Sequence, residues 1–145
     1  IRGLFWSLND ESGGIGWNSP QTIAEIIAMI PELIEPYGGM IIHYTMEESL
    51  LVPSGLWAIG RLGRRLEPMV KSFKDIVLAT FESDDPQTLG LAAWAMGEVG
   101  YAPALPSLES LKDREEPVQI YIDCDYCQKT IGEWSRDEIE KITYG

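Results

Sequence analysis

Leu56-Trp57-Ala58-Ile59-Gly60-Arg61-Leu62-Gly63 and Ala93-Trp94-Ala95-Met96-Gly97-Glu98-Val99-Gly100 follow one pattern: apolar, Trp, Ala, apolar, Gly, charged, apolar, Gly. Trp57 and Trp94 stand 37 residues apart. A weaker copy, Phe5-Trp6-Ser7-Leu8-Asn9, lies 51 residues before Trp57. The extra 14 residues fit a Gly-rich insertion around Ser12-Gly13-Gly14-Ile15-Gly16. Self-similarity at this period, carried on helical patterns, predicts a repeat architecture in which each unit is a pair of antiparallel helices.

The units can be read outward from the octets. Asp85-Pro86 is a helix start, with Asp as cap and Pro in the first turn. Leu89, Ala92, Ala93, Met96 and Val99 recur at three- and four-residue steps and predict one apolar face, which Gly100 ends. Ala92, Ala93, Ala95 and Gly97 permit close helix approach, with Trp94 filling the space between units. Pro103 opens a partner helix whose stripe is Leu105, Leu108 and Leu111. In the preceding unit, Pro53 to Gly63 and about Pro68 to Phe81 make the pair. Before that, Ser19-Pro20 caps a helix through Ile23, Ile26, Ile27 and Ile30, and a short apolar segment around Leu33, Ile34, Met40 and Ile41 leads on.

The run Asp84-Asp85-Pro86-Gln87-Thr88-Leu89-Gly90-Leu91-Ala92-Ala93-Trp94-Ala95-Met96-Gly97-Glu98-Val99-Gly100 resembles the HEAT-like repeat of the phycobilisome-lyase type, and Leu56 to Gly63 repeats its end. The resemblance covers roughly residues 1–112. It departs from the family at Leu89, where the family usually carries Arg. This weakens the inter-repeat Asp/Arg ladder the family implies and favours apolar stacking. The resemblance implies a mainly all-α fold, an α-solenoid of about three HEAT-like helix pairs over residues 1–113. Such repeats serve as scaffolds, adaptors and a few enzymes, so fold alone does not choose a function. A bilin or tetrapyrrole lyase-like or chaperone-like role follows only from the resemblance.

Residues 114–145 change character. Pro117-Val118-Gln119-Ile120-Tyr121-Ile122-Asp123 alternates apolar and polar residues and predicts a strand. Asp123 to Tyr126 reads as a turn, and Gln128-Lys129-Thr130-Ile131 as the returning strand. Thr130-Ile131-Gly132-Glu133 has capping-box spacing before an amphipathic helix carrying Trp134, Ile139 and Ile142. A lone hairpin is marginal in water. It must cap the last repeat or pair with another chain, which makes it a route to homo-oligomers or a strand edge for a partner.

The 145 residues suit a single core, and 45% are apolar and 23% charged. The net charge of −12 divides as −3 up to residue 72 and −9 beyond it. So acidic a chain disfavours nucleic acid and anionic membranes as partners and favours a basic protein partner on the C-terminal half. One His and two Cys exclude a Cys₄ or Cys₂His₂ zinc site within the chain. Nothing in the pattern calls for a cofactor or a metal. The abrupt apolar start suggests that further sequence precedes Ile1, and the cysteine usage suggests a cytoplasmic setting.

Several groups remain as candidates. Arg61, Arg64 and Arg65 are the only basic cluster, either a solvated helix end complementing the macrodipole or a site for an acidic group. Asp10, Glu11 and Trp17 lie in the Gly-rich loop at 9–20, open to three readings: a structural insertion, a partner or ligand contact, or a metal or catalytic loop, for which two carboxylates fall short of a tight hard-cation site. Trp17 falls outside the repeat pattern and is the preferred single contact residue. Cys124 and Cys127 form a C-x-x-C open to three readings: incidental thiols, a disulfide or metal half-site, or a redox pair. His43, in an apolar stretch, reads as a polar-capped core histidine. The pattern as a whole favours a non-enzymatic scaffold, with a lyase-like protein and a thiol or metal-linked module as alternatives.

Overall fold

Asp85 caps its helix as the sequence requires. Its carboxylate accepts from the Thr88 amide at 3.1 Å and the Thr88 hydroxyl at 2.8 Å, and Pro86 occupies the first turn. A computed structural model describes residues 19–122 and 125–144, with side-chain burial from residue 24 onward. Its elements are α1 (Ser19–Met29), α2 (Ile34–Met46), α3 (Val52–Leu62), α4 (Glu67–Ser72), α5 (Lys74–Leu78), α6 (Pro86–Val99), α7 (Leu105–Leu111), β1 (Pro117–Ile122), β2 (Asp125–Thr130) and α8 (Ile131–Tyr144). Short 3₁₀ turns precede α2, α4 and α7 and follow α5. The described chain is therefore mainly helical, with one two-stranded antiparallel sheet.

Four helices pack in succession, α1 on α3, α3 on α6 and α6 on α8. The intervening elements pack behind this row: α2 against α3, the 3₁₀ turn Ala79–Glu82 against α6, and α7 against α8. β1 crosses against α6. As a result α6 is enclosed on all sides, and every residue from Thr88 to Gly97, with Val99, is buried. This exceeds the single apolar face expected from its spacing. A helix apolar all round is a core helix, and α6 is that here. Burial of Leu89 and Met96, at 2% and 0% exposure, contributes about 2 kcal/mol each before entropy is counted.

The two octets play matching parts. Gly63 and Gly100 both end their helices at positive φ, +63° and +77°. Gly60 and Gly97 are both places where the next helix of the row comes too close for any side chain: Trp94 of α6 lies on Gly60, and Glu138 of α8 lies on Gly97. Arg61 and Glu98, the charged positions, each tie their helix to a neighbour in the row. Arg61 forks onto Glu25 of α1, and Glu98 accepts from Lys141 of α8.

Some elements differ from the sequence reading. Ile34–Met46 is a full helix and not a short connecting segment, despite Pro36, Gly38 and Gly39. Pro36 falls in the first turn, where its missing amide costs nothing, and Gly38 makes room for Leu66, 2.6 Å from where a Cβ would sit. The helix expected over 68–81 breaks at Phe73, whose φ and ψ are −110° and 27°. The residue Ile30 lies beyond the end of α1 and is 47% exposed. The second strand begins at Asp125, three residues earlier than expected, and pairs Ile122 with Asp125 through Pro117 with Thr130. The buried stripe of α8 runs through Ile131, Trp134, Ser135 and Glu138, leaving Ile139 and Ile142 only half-buried.

Candidate functional site

The hairpin is fastened to the helix row by side chains that donate to β1 carbonyls. Trp57 Nε1 of α3 reaches Tyr121 O at 2.8 Å, Gln87 Nε2 of α6 reaches Gln119 O at 2.7 Å, and Trp134 Nε1 of α8 reaches Val118 O at 3.1 Å. Gly90 of α6 admits Val118, whose Cβ would otherwise stand 2.8 Å from a methyl at that position. Strand alternation then sorts the faces. Val118 and Ile120, at 1% exposure each, point into the core. Pro117, Gln119 and Tyr121 point outward, and across the pair Thr130, Gln128 and Tyr126 face the same way. Among the described residues this outer face carries no charged side chain, in a chain of net charge −12. Tyr121 and Tyr126 sit directly opposite, 40% and 63% exposed, with ring centroids 5.1 Å apart.

The two edges of the hairpin are unlike. Gln119 and Tyr121 share one side of β1, and that side is occupied by Gln87 and Trp57. On the far side of β2, the Tyr126 amide donates to its neighbour's Asp125 Oδ1 at 2.9 Å and the Thr130 amide donates to Glu133 Oε1 at 2.9 Å. Among the described residues, the Gln128 position between them leaves a short backbone edge on which a strand could add.

The hairpin leads into α8 through a complete capping box. The Glu133 amide donates to Thr130 Oγ1 at 3.1 Å, reciprocating the Thr130 amide bond to Glu133, and hydrogen bonding from the Thr130 amide, with its hydroxyl, holds the Glu133 carboxyl below its usual range. Lys129 reaches Asp137 at 2.7 Å and lies over the Trp134 ring, 4.6 Å from its centroid. Below the capping box is a polar cleft of about 330 Å³ lined by Lys112, Asp113, Arg114, Glu115, Thr130, Glu133 and Arg136. There Arg114 hydrogen-bonds Glu116, and that bond lowers the Glu116 carboxyl to about 2. The lining is of mixed sign, so it presents no single-charge binding field.

Of the residues singled out from sequence, those the structure describes do not converge. Arg61 is 2.8 Å from Glu25 and serves the α1–α3 contact. Arg64 lies over Gly100, its Nη1 3.2 Å from where a Cβ would be, at the negative end of the α6 dipole. Arg65 is exposed in the turn Gly63–Leu66. Cys127 is half-buried in β2 opposite Ile120 and packs against the core. Asp10, Glu11, Trp17 and Cys124 lie outside the described residues. His43 is an exposed residue and not a core one: its side chain is 52% exposed, with Nδ1 3.6 Å from Glu47 Oε1. Sequence reasoning missed the Tyr121–Tyr126 pair, because misplacing the start of β2 left Tyr126 in the turn.

No group of three or more His, Cys, Asp or Glu side chains among the described residues is placed to hold a metal ion. None of the described helices is long and apolar enough to cross a membrane. Comparison of the chain with family models, curated proteins and solved structures finds no match.

Proposed function

We propose that the chain is a non-enzymatic interaction scaffold, a HEAT-like α-solenoid that takes a protein partner on the outer face of its C-terminal hairpin. The matching roles of Gly60 and Gly97, of Gly63 and Gly100, and of Arg61 and Glu98 support the repeat reading. The observation that carries the binding reading is the exposed Tyr121–Tyr126 pair on a strand pair held in place by Trp57, Gln87 and Trp134. Tyrosines on an uncharged, pre-ordered surface lose little entropy on binding and are frequent interface anchors. The surrounding acidic surface favours a partner with a basic rim, in a cytoplasmic setting.

The test replaces both tyrosines, Tyr121→Ser with Tyr126→Ser, and compares affinity capture from native extract. A photo-crosslinker at Gln128 reports whether the captured protein touches the hairpin. Loss of the crosslinked partner with unchanged circular dichroism is the expected result. Equal recovery by the double variant overturns the assignment, and loss on Arg64→Glu with Arg65→Glu instead would move the site to the other end of the helices.

A further inference from the structure

Glu138 is a carboxylate in the wrong place for its charge. It sits on the buried stripe of α8 at 1% exposure, directly against Gly97 of α6. Its Oε2 is buried and has no hydrogen-bond partner among the described residues, as is true of Ser135 Oγ one turn earlier. Its Oε1 is 3.3 Å from Lys141 Nζ, and that same ammonium is held by Glu98 on α6. Two carboxylates therefore share one cation across the α6–α8 contact, and one of the two is out of water. Of the other charged groups on the elements packed against α8, Glu109 of α7 pairs at 3.1 Å with Lys112 just beyond that helix, Lys129 of β2 pairs with Asp137, and Asp125 of β2 accepts from the Tyr126 amide.

We propose that α8 is a proton-dependent latch: it docks on α6 with Glu138 in its neutral acid form, and loss of that proton loosens α8 and the hairpin it anchors. An unpaired buried carboxylate costs far more than a neutral acid, and a neutral acid can donate from Oε2 where a carboxylate can only accept. Burial pushes the Glu138 carboxyl up to about 8, against the pull of Lys141 and with the added push of Glu98. The docked state thus keeps a proton that the undocked state releases near the ordinary carboxyl value of about 4.5. Stability is therefore greatest at low pH in this window, falls as pH rises between those two values, and levels above the upper one. Each pH unit inside the window costs about tenfold in the docking equilibrium. Lys141 is not the sensor, because its own value is raised and it stays charged throughout.

The experiment is hydrogen exchange over residues 131–144, corrected for intrinsic rate, in the full chain at pH 5.5 to 9. Protection in the wild type should fall about tenfold per unit and then level, whereas Glu138→Gln should be protected and flat. Glu98→Gln should move the levelling point to lower pH. Should Glu138→Gln fail to fold, carboxyl-carbon NMR of the wild type reads the Glu138 titration directly. A midpoint below pH 5.5, or the same pH slope in Glu138→Gln as in wild type, overturns the latch.

Discussion

Replacing Gly60 with Ala should destabilise the protein even though alanine is the better helix former. A methyl at position 60 would fall 2.6 Å from Cε3 of Trp94, about 1 Å inside ordinary carbon–carbon contact. Trp94 is 4% exposed and cannot swing into solvent, so α3 and α6 must separate or the indole must leave its rotamer. Overpacking of this kind costs up to about 3 kcal/mol. The gain in helix propensity returns about 1 kcal/mol, for a net loss of about 2 kcal/mol. At roughly 3 °C per kcal/mol for a chain of this size, the melting temperature should fall by about 6 °C. Trp94→Leu removes the ring and by itself costs about 2 kcal/mol or more as a large-to-small core change. In the double variant the methyl meets no ring, so the Gly60→Ala cost should vanish. Thermal melts of the four proteins close the cycle. A Gly60→Ala melt within 1 °C of wild type, or simple additivity with Trp94→Leu, would refute the close approach of α3 and α6.

Alanine at Gly63 or Gly100 should each cost about 1–2 kcal/mol by chemical denaturation, because both sit at positive φ; Gly63 should suffer more, since its ψ of −139° lies outside the left-handed helical well that Gly100 occupies with ψ of 32°. Trp57→Phe removes the indole bond to the Tyr121 carbonyl, so the cost is about 1 kcal/mol and amide exchange should quicken in β1 near Tyr121 while α6 stays protected.

What was legible in the sequence follows from what periodicity and caps encode. Asp85, Gly100 and the Thr130/Glu133 box act through their own backbone neighbours, so their chemistry shows without knowledge of the rest. The octets were legible because their glycines are where one helix meets the next. The helix Ile34–Met46 was not, because Gly38 and Gly39 read as breakers until Leu66 and Phe73 are seen filling the space they leave. Glu138 reads as a solvated charge, and only the approach of α8 to Gly97 buries it. His43 reads as core because its sequence neighbours are apolar, yet the helix turns it outward. Tyr126 joins the outer face of the hairpin because β2 begins at Asp125, and a strand begun at Gln128 leaves it in the turn.

The difference between the two hairpin edges limits how copies of the chain can associate. Gln87 and Trp57 occupy the β1 side, so among the described residues the sheet has its open edge at β2. If two molecules join there, each spends its one open seam on the other, and the result is a closed pair about a twofold axis with no end left to recruit a third. Strand addition through the described edge would then be self-terminating, which separates recognition by pairing from runaway fibre growth.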